Sequence, residues 1–317
     1  TVFLTLAACR ERSYGSQPKD GKRASQKDMS HAVNASPESR EASPGRPSPK
    51  GLKSQPALKE SGSQTAGPFV IKEDGLYKIW YKEQLHGGKE HISHATSKDG
   101  IKWEKYEGNP VIEPGEGDVW DSTRVGPGKV LMVNGVYKIW FLGFNKDGIA
   151  AIGHATSKDG VHWEKYKGNP VLKASPDGWD SRAIVGLGVI YDEGIYKMWF
   201  AGKDLKEQAI GYATSKDGVR WEKYKNNPVM RPRSPDKWDS GGFVGAPHVL
   251  KKDGVYRMWY ASLRHSDVKT VRETGYAASK DGIHWERSEN PVLTRGKSGE
   301  WDSKEAARNF VMFEDGV

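Results

Sequence analysis

Four aspartates recur in one context, Trp-Asp-Ser, at Asp121, Asp180, Asp239 and Asp302, and a single glutamate, Glu305, follows closely on the last of these triplets. Paired carboxylates are what cleavage of a glycosidic bond requires. One protonates the leaving oxygen and the other activates water or attacks the sugar, at a separation of roughly 5–9.5 Å set by the stereochemical outcome. A repeated loop Asp also has a plainer use, accepting hydrogen bonds from nearby backbone amides. The elements that carry these residues decide which use is available.

Those elements are copies of one unit. Tyr77-Lys78-Ile79-Trp80 recurs from Tyr137, Tyr196 and Tyr256; Ser97-Lys98-Asp99-Gly100 from Ser157, Ser215 and Ser279; Asn109-Pro110-Val111 from Asn169, Asn227 and Asn290. The period is about 60 residues, long for a propeller blade. All 12 tryptophans fall in three repeated positions, which points to packing between copies before any role in stacking a sugar. Within a copy the pattern is that of strands. In the second, residues 129–133, 136–142, 150–156 and 161–166 read as four antiparallel strands, with Asn134-Gly135 as a tight hairpin turn and Ser157-Lys158-Asp159-Gly160 as a side-chain-capped turn. The fold class is all-β: a five-bladed β-propeller with four complete blades, beginning near Pro68, Gly126, Gly186 and Gly245. The first strand of a truncated fifth blade is expected near 309–313. A gap should then open between blades five and one.

In a propeller, the loops entering the innermost strands and those joining second to third strands share one face. The Trp-Asp-Ser aspartates are therefore expected at the channel mouth, Asp121 and Asp302 as candidate catalytic bases and Asp180 and Asp239 as substrate-binding groups. Polar residues that break the repeat on or beside innermost strands are the other candidates, because packing does not demand them. Glu305 is the candidate acid, and His248, Arg124, Arg182 and Arg308 are candidate substrate ligands. His94 and His154 stand where later copies have Tyr212 and Tyr276, so they read as packing. The loops at 145–147 and 203–204 vary between copies and could meet a ligand.

Composition separates the chain into three parts. Residues 67–317 form the propeller, incomplete at its C-terminal end. Residues 10–66 are rich in Ser, Pro, Lys and Gly with no apolar period, and read as a disordered linker. That stretch holds eleven Lys and Arg against six Asp and Glu, so +5 of the net +8 sits there and no basic run marks a nucleic-acid surface. Residues 1–9 end Leu6-Ala7-Ala8-Cys9, similar to a bacterial lipobox, and read as the remnant of a lipoprotein signal peptide. Cys9, the sole cysteine, is then the lipidated residue. This implies a bacterial lipoprotein held to a membrane by its lipid, periplasmic or at the cell surface. The chain reads as cut at both ends.

The repeat, above all Tyr-Lys-Met-Trp, Ser-Lys-Asp-Gly-x-x-Trp and Asn-Pro-Val, resembles the five-bladed arabinanase/levansucrase/invertase-type superfamily, which includes glycoside hydrolase families 32, 43, 62 and 130. The resemblance spans 67–317. It implies a glycoside hydrolase or phosphorylase acting on a poly- or oligosaccharide at the central channel. No cofactor is implied, although some relatives hold a cation in the channel; no metal ligands can be assigned here. Catalytic members of family 43 carry Asp-Pro, Ala-Pro-Asp and a Glu on innermost strands. The corresponding strings are Gly67-Pro68, Ala246-Pro247-His248 and Glu305, so only Glu305 keeps its chemistry. Those losses keep open an alternative, a non-catalytic glycan-binding or scaffold propeller. The Ser-x-Asp-Gly-x-x-Trp turn also resembles the Asp-box of sialidases, but Arg124, Arg182 and Arg308 do not make the arginine cluster of that chemistry.

Overall fold

The computed structural model of the protein describes residues 2–4, 64–84, 88–264, 271–297, 306 and 310–312, all within the unit formed by Thr1–Cys9 and Pro56–Val317. Cys9, Asp302, Glu305, Arg308 and the linker up to residue 63 lie outside the described residues.

A short strand β1 (Val2–Leu4) comes first. Four sheets of four strands follow: β2 (Gln64–Glu73), β3 (Leu76–Gln84), β4 (Glu90–Ser97) and β5 (Glu104–Lys105); β6 (Arg124–Val133), β7 (Val136–Phe144), β8 (Ala150–Ser157) and β9 (Glu164–Lys165); β10 (Ala183–Asp192), β11 (Ile195–Lys203), β12 (Gln208–Ser215) and β13 (Glu222–Lys223); and β14 (Val244–Lys252), β15 (Val255–Arg264), β16 (Val271–Ser279) and β17 (Glu286–Arg287). A single strand β18 (Phe310–Met312) ends the series. Pairing within each sheet is antiparallel and follows chain order. Innermost strands touch in sequence, β2 with β6, β6 with β10 and β10 with β14. The protein is an all-β propeller, and among the described residues there is no helix.

Local chemistry explains these elements. Each first hairpin turns on two residues with positive φ, Asn134 (53°) and Gly135 (74°) in blade two, as a two-residue turn matched to strand twist demands. Each third strand ends in a Ser–Asp turn. Asp159 accepts the amides of Val161 and His162 at 3.0 and 2.9 Å, and Ser157 Oγ accepts that of Gly160 at 2.8 Å. The same bonds recur in the other three blades. The turn is a staple built from side chains. It also shortens the fourth strand: β9 has two residues where 161–166 was expected, because 161 and 162 serve the turn.

Blades adhere through tryptophan. Trp80, Trp140 and Trp199 are fully buried, and each indole Nε1–H donates to a turn glycine of the next blade, Gly160, Gly218 and Gly282, at 2.7–2.8 Å. The same indoles meet Trp163, Trp221 and Trp285 edge-on at 6.0–6.2 Å. His94 and His154 are buried against Trp80 and Trp140, as their repeat position foretells.

Two expectations need correction. The gap expected after the fourth blade is bridged at the axis, where β18 touches both β14 and β2 and Phe310 meets Phe69 edge-on at 5.0 Å. An aromatic on each strand suffices to join them there. The propeller also starts earlier than residue 67, since β2 pairs with β3 from Gln64. Val2–Leu4 lies antiparallel to β18, with Val2 opposite Met312.

Candidate functional site

All four innermost strands β2, β6, β10 and β14 carry a register shift at one level, between Ala66 and Phe69, Pro127 and Lys129, Ile184 and Leu187, and Gly245 and His248. The bulge re-aims the strand ends beyond it. Gly67 and Gly186 take positive φ there, and Ala246 is held at 46° in the corresponding place.

Just inside the bulge, one residue per strand fills the axis: Phe69, Lys129, Gly188, His248 and Phe310. Phe310 lies 5.0 Å from Phe69 and 4.9 Å from His248, both edge-on, and the Lys129 ammonium sits 4.6 Å over the Phe69 ring. These side chains pack against one another between the innermost strands. His248, expected to bind substrate, is therefore corrected to a packing residue. It is buried, and its Nε2–H donates to the Val311 carbonyl at 2.6 Å. Burial, helped by the Lys129 charge, pushes it down to about 3, so it is neutral. The layer does not fit a channel metal ion either: it offers an ammonium, two phenyl rings and a histidine nitrogen already engaged.

Beyond the bulge lies the lip of the channel, built where third strands dock beside the next innermost strand. Glu90 of β4 is the parallel partner of Arg124, and Gln208 of β12 that of Phe243. In the fourth blade the Ala306 amide donates to the Arg272 carbonyl at 3.1 Å, and Thr274 Oγ1 donates to the Ala306 carbonyl at 2.6 Å. Arg124 lies 4.0 Å over the Phe144 ring. Arg182 is exposed, its amide bonded to the Lys203 carbonyl at 2.9 Å. Lys82 holds Glu90 at 2.9 Å. Sequence reading missed Lys82, Glu90 and Arg272 because it compared departures from the repeat only near innermost strands. Glu90 stands where later blades have Ala150, Gln208 and Arg272, a signal that was available.

The three described Trp-Asp-Ser aspartates are engaged elsewhere. Asp121, Asp180 and Asp239 are buried and ion-paired with the outermost strands of their blades. Lys165 holds Asp121 at 2.7 Å and Lys223 holds Asp180 at 2.5 Å; Arg287 and Arg233 hold Asp239 at 3.1 and 2.5 Å, with the Tyr260 hydroxyl at 2.9 Å. A Cβ on Gly143 of the second strand would fall 2.5 Å from that of Asp121. The loop thus crosses the sheet and spends its carboxylate on a buried pair. Asp121 as a base, and Asp180 and Asp239 as sugar ligands, are corrected to structural groups.

Residues 126–302, more than half of the chain, match the family described as the glycosyl hydrolases family 32 N-terminal domain. The chain belongs to that family. This family 32 domain is 33% identical over 180 residues to an uncharacterized protein of Mycobacterium tuberculosis (strain H37Rv), covering 55% of the chain and 57% of the relative. It is 27% identical over 136 residues to a 1,2-β-oligomannan phosphorylase of Thermoanaerobacter sp., covering 40% of the chain and 44% of that enzyme. The chain thus spans about half the length of these relatives. Among solved structures, one described as a glycoside hydrolase superposes with a TM-score of 0.67 at 20% identity, covering 82% of this chain and 83% of its own. A thermostable family-43 glycoside hydrolase gives 0.57 at 17% identity, covering 74% and 75%. At these identities the structures speak for the propeller fold alone.

Proposed function

We propose that the protein cleaves glycosidic bonds of a poly- or oligosaccharide, by hydrolysis or phosphorolysis, at the lip where innermost strands begin. Family membership over 126–302 is the observation that carries this reading. Glu305 is the proposed acid, protonating the leaving oxygen. What supports it is its neighbour Ala306, bonded to Arg272 at the same lip position at which Arg124 meets Glu90. Asp302 is the proposed base acting through water, and Asp121 drops out because Lys165 holds it. Arg124, Arg182 and Arg308 would bind sugar hydroxyls or an attacking phosphate. Cys9 would carry a lipid that keeps the enzyme at a bacterial membrane, periplasmic or on the cell surface.

A second reading, glycan binding without catalysis, is favoured by the described lip itself, where Glu90, the acid paired beside Arg124, is committed to Lys82. Release of sugar from β-linked manno- and fructo-oligosaccharides and aryl glycosides, with and without inorganic phosphate, separates the two. Turnover that Glu305→Gln lowers by a factor of at least 100 supports the first reading. Glycan binding by both proteins with no turnover supports the second.

A further inference from the structure

At the opposite end of the channel, the hairpin turns of blades two, three and four enclose a depression of about 670 Å³. Leu131, Ile190 and Leu250 line it, Lys251 and Lys252 are among its charged groups, and Lys129 is the lining residue of β6 farthest from the hairpin. We propose that this depression is an anion-binding site, with Lys129 as its inner ligand and a small inorganic anion as its occupant.

Three observations carry this. Lys129 is only 5% exposed, and no carboxylate meets its ammonium among the described residues. The acids of the lining cannot serve it. Asp192 is bound by Lys251 at 2.8 Å, Lys197 at 2.5 Å and the Tyr256 hydroxyl at 2.7 Å, while Asp253 is exposed on a hairpin turn. Among the described residues, the ammonium lies over the Phe69 ring and beside a neutral His248. A cation–π contact offsets only part of the penalty for burying an ammonium. That shortfall is what a bound anion offsets.

The protonation state agrees. Burial lowers the lysine to about 8, so it is mostly charged at neutral pH. Among the described residues, the charged groups facing the same space are Lys251 and Asp192, paired with each other, with Glu193 also 3.5 Å from Lys251, and Lys252 and Asp253 at the rim. His248 stays neutral throughout. Anion affinity should therefore follow Lys129 and vanish as pH rises well above 8.

The test is bromide soaked into crystals of the protein, located by anomalous scattering. A peak within about 4 Å of Lys129 Nζ at pH 6.5, lost at pH 9.5 and in Lys129→Met, is the expected result. No peak at Lys129, or one indifferent to both pH and Lys129→Met, overturns the proposal. The pH arm uses the unaltered protein, so the test stands even if the variant does not fold.

Discussion

Glu83 holds Lys105 at 2.9 Å from a strand position, three residues after Trp80, that is glycine in the next two blades. Gly143 and Gly202 leave room there for Asp121 and Asp180, which reach Lys165 and Lys223 from the preceding loop. Blade one thus supplies from its own strand the carboxylate that others take from a Trp-Asp-Ser loop. Glu83→Gln should cost about 1–3 kcal/mol, below the range for a fully buried pair because Lys105 is about a quarter exposed. Thermal melting would show it as a Tm lower by roughly 3–10 °C. An unchanged Tm would mean the pair adds nothing.

The turn carbonyl of Gly218 accepts two indoles, Trp140 of the preceding blade at 2.8 Å and Trp221 of its own at 3.0 Å. Either donor alone keeps the oxygen partnered. Trp140→Phe and Trp221→Phe should each cost about 1–2 kcal/mol. The double variant should exceed their sum by about 1 kcal/mol, since only then is a buried carbonyl orphaned. Urea denaturation of the four proteins measures the excess; strict additivity would contradict the shared acceptor.

His94 and His154 give the propeller a pH dependence that tyrosine would remove. Burial holds both at about 4, below the 6.5 of an exposed imidazole. The unfolded chain therefore binds more protons below pH 6.5. Stability is fully present above that value and falls as pH drops towards 4, by up to a few kcal/mol for each residue. Blades three and four carry Tyr212 and Tyr276 at these positions, so the fold accepts tyrosine there. His94→Tyr with His154→Tyr should flatten this part of the stability curve, as read by denaturation at pH 4, 5, 6 and 7.

The contrast between these groups explains what the sequence makes legible. Repeated residues disclosed the blade, its turns and its inter-blade tryptophans, because a unit that must pack on copies of itself repeats its contacts. The same regularity misled at Asp121, Asp180 and Asp239. Topology takes their loop to the channel, but at Asp121 and Asp180 the side chain's direction depends on Gly143 and Gly202, glycines in a strand about 20 residues downstream. Lys129 was hidden, and His248 given another role, for a different reason: only the bulge in β6 and β14 turns them into one axial layer.

Catalysis and stability should separate cleanly between Asp121 and Glu305. Asp121 is buried with Lys165 in a pair over the sheet of blade two, so Asp121→Asn leaves a lysine without its counter-charge. It should cost about 1–3 kcal/mol, since Lys165 is a third exposed, while changing kcat/KM by less than about threefold at a temperature where the variant is folded. Glu305→Gln removes a proposed proton donor and should do the reverse, lowering kcat by a factor of about 100 or more with Tm nearly constant. Its loss should be smallest on substrates with acidic leaving groups, such as dinitrophenyl glycosides, which depart without protonation. If Asp121→Asn were as inactive as Glu305→Gln while equally stable, the assignment of the loop aspartates to structure would be wrong.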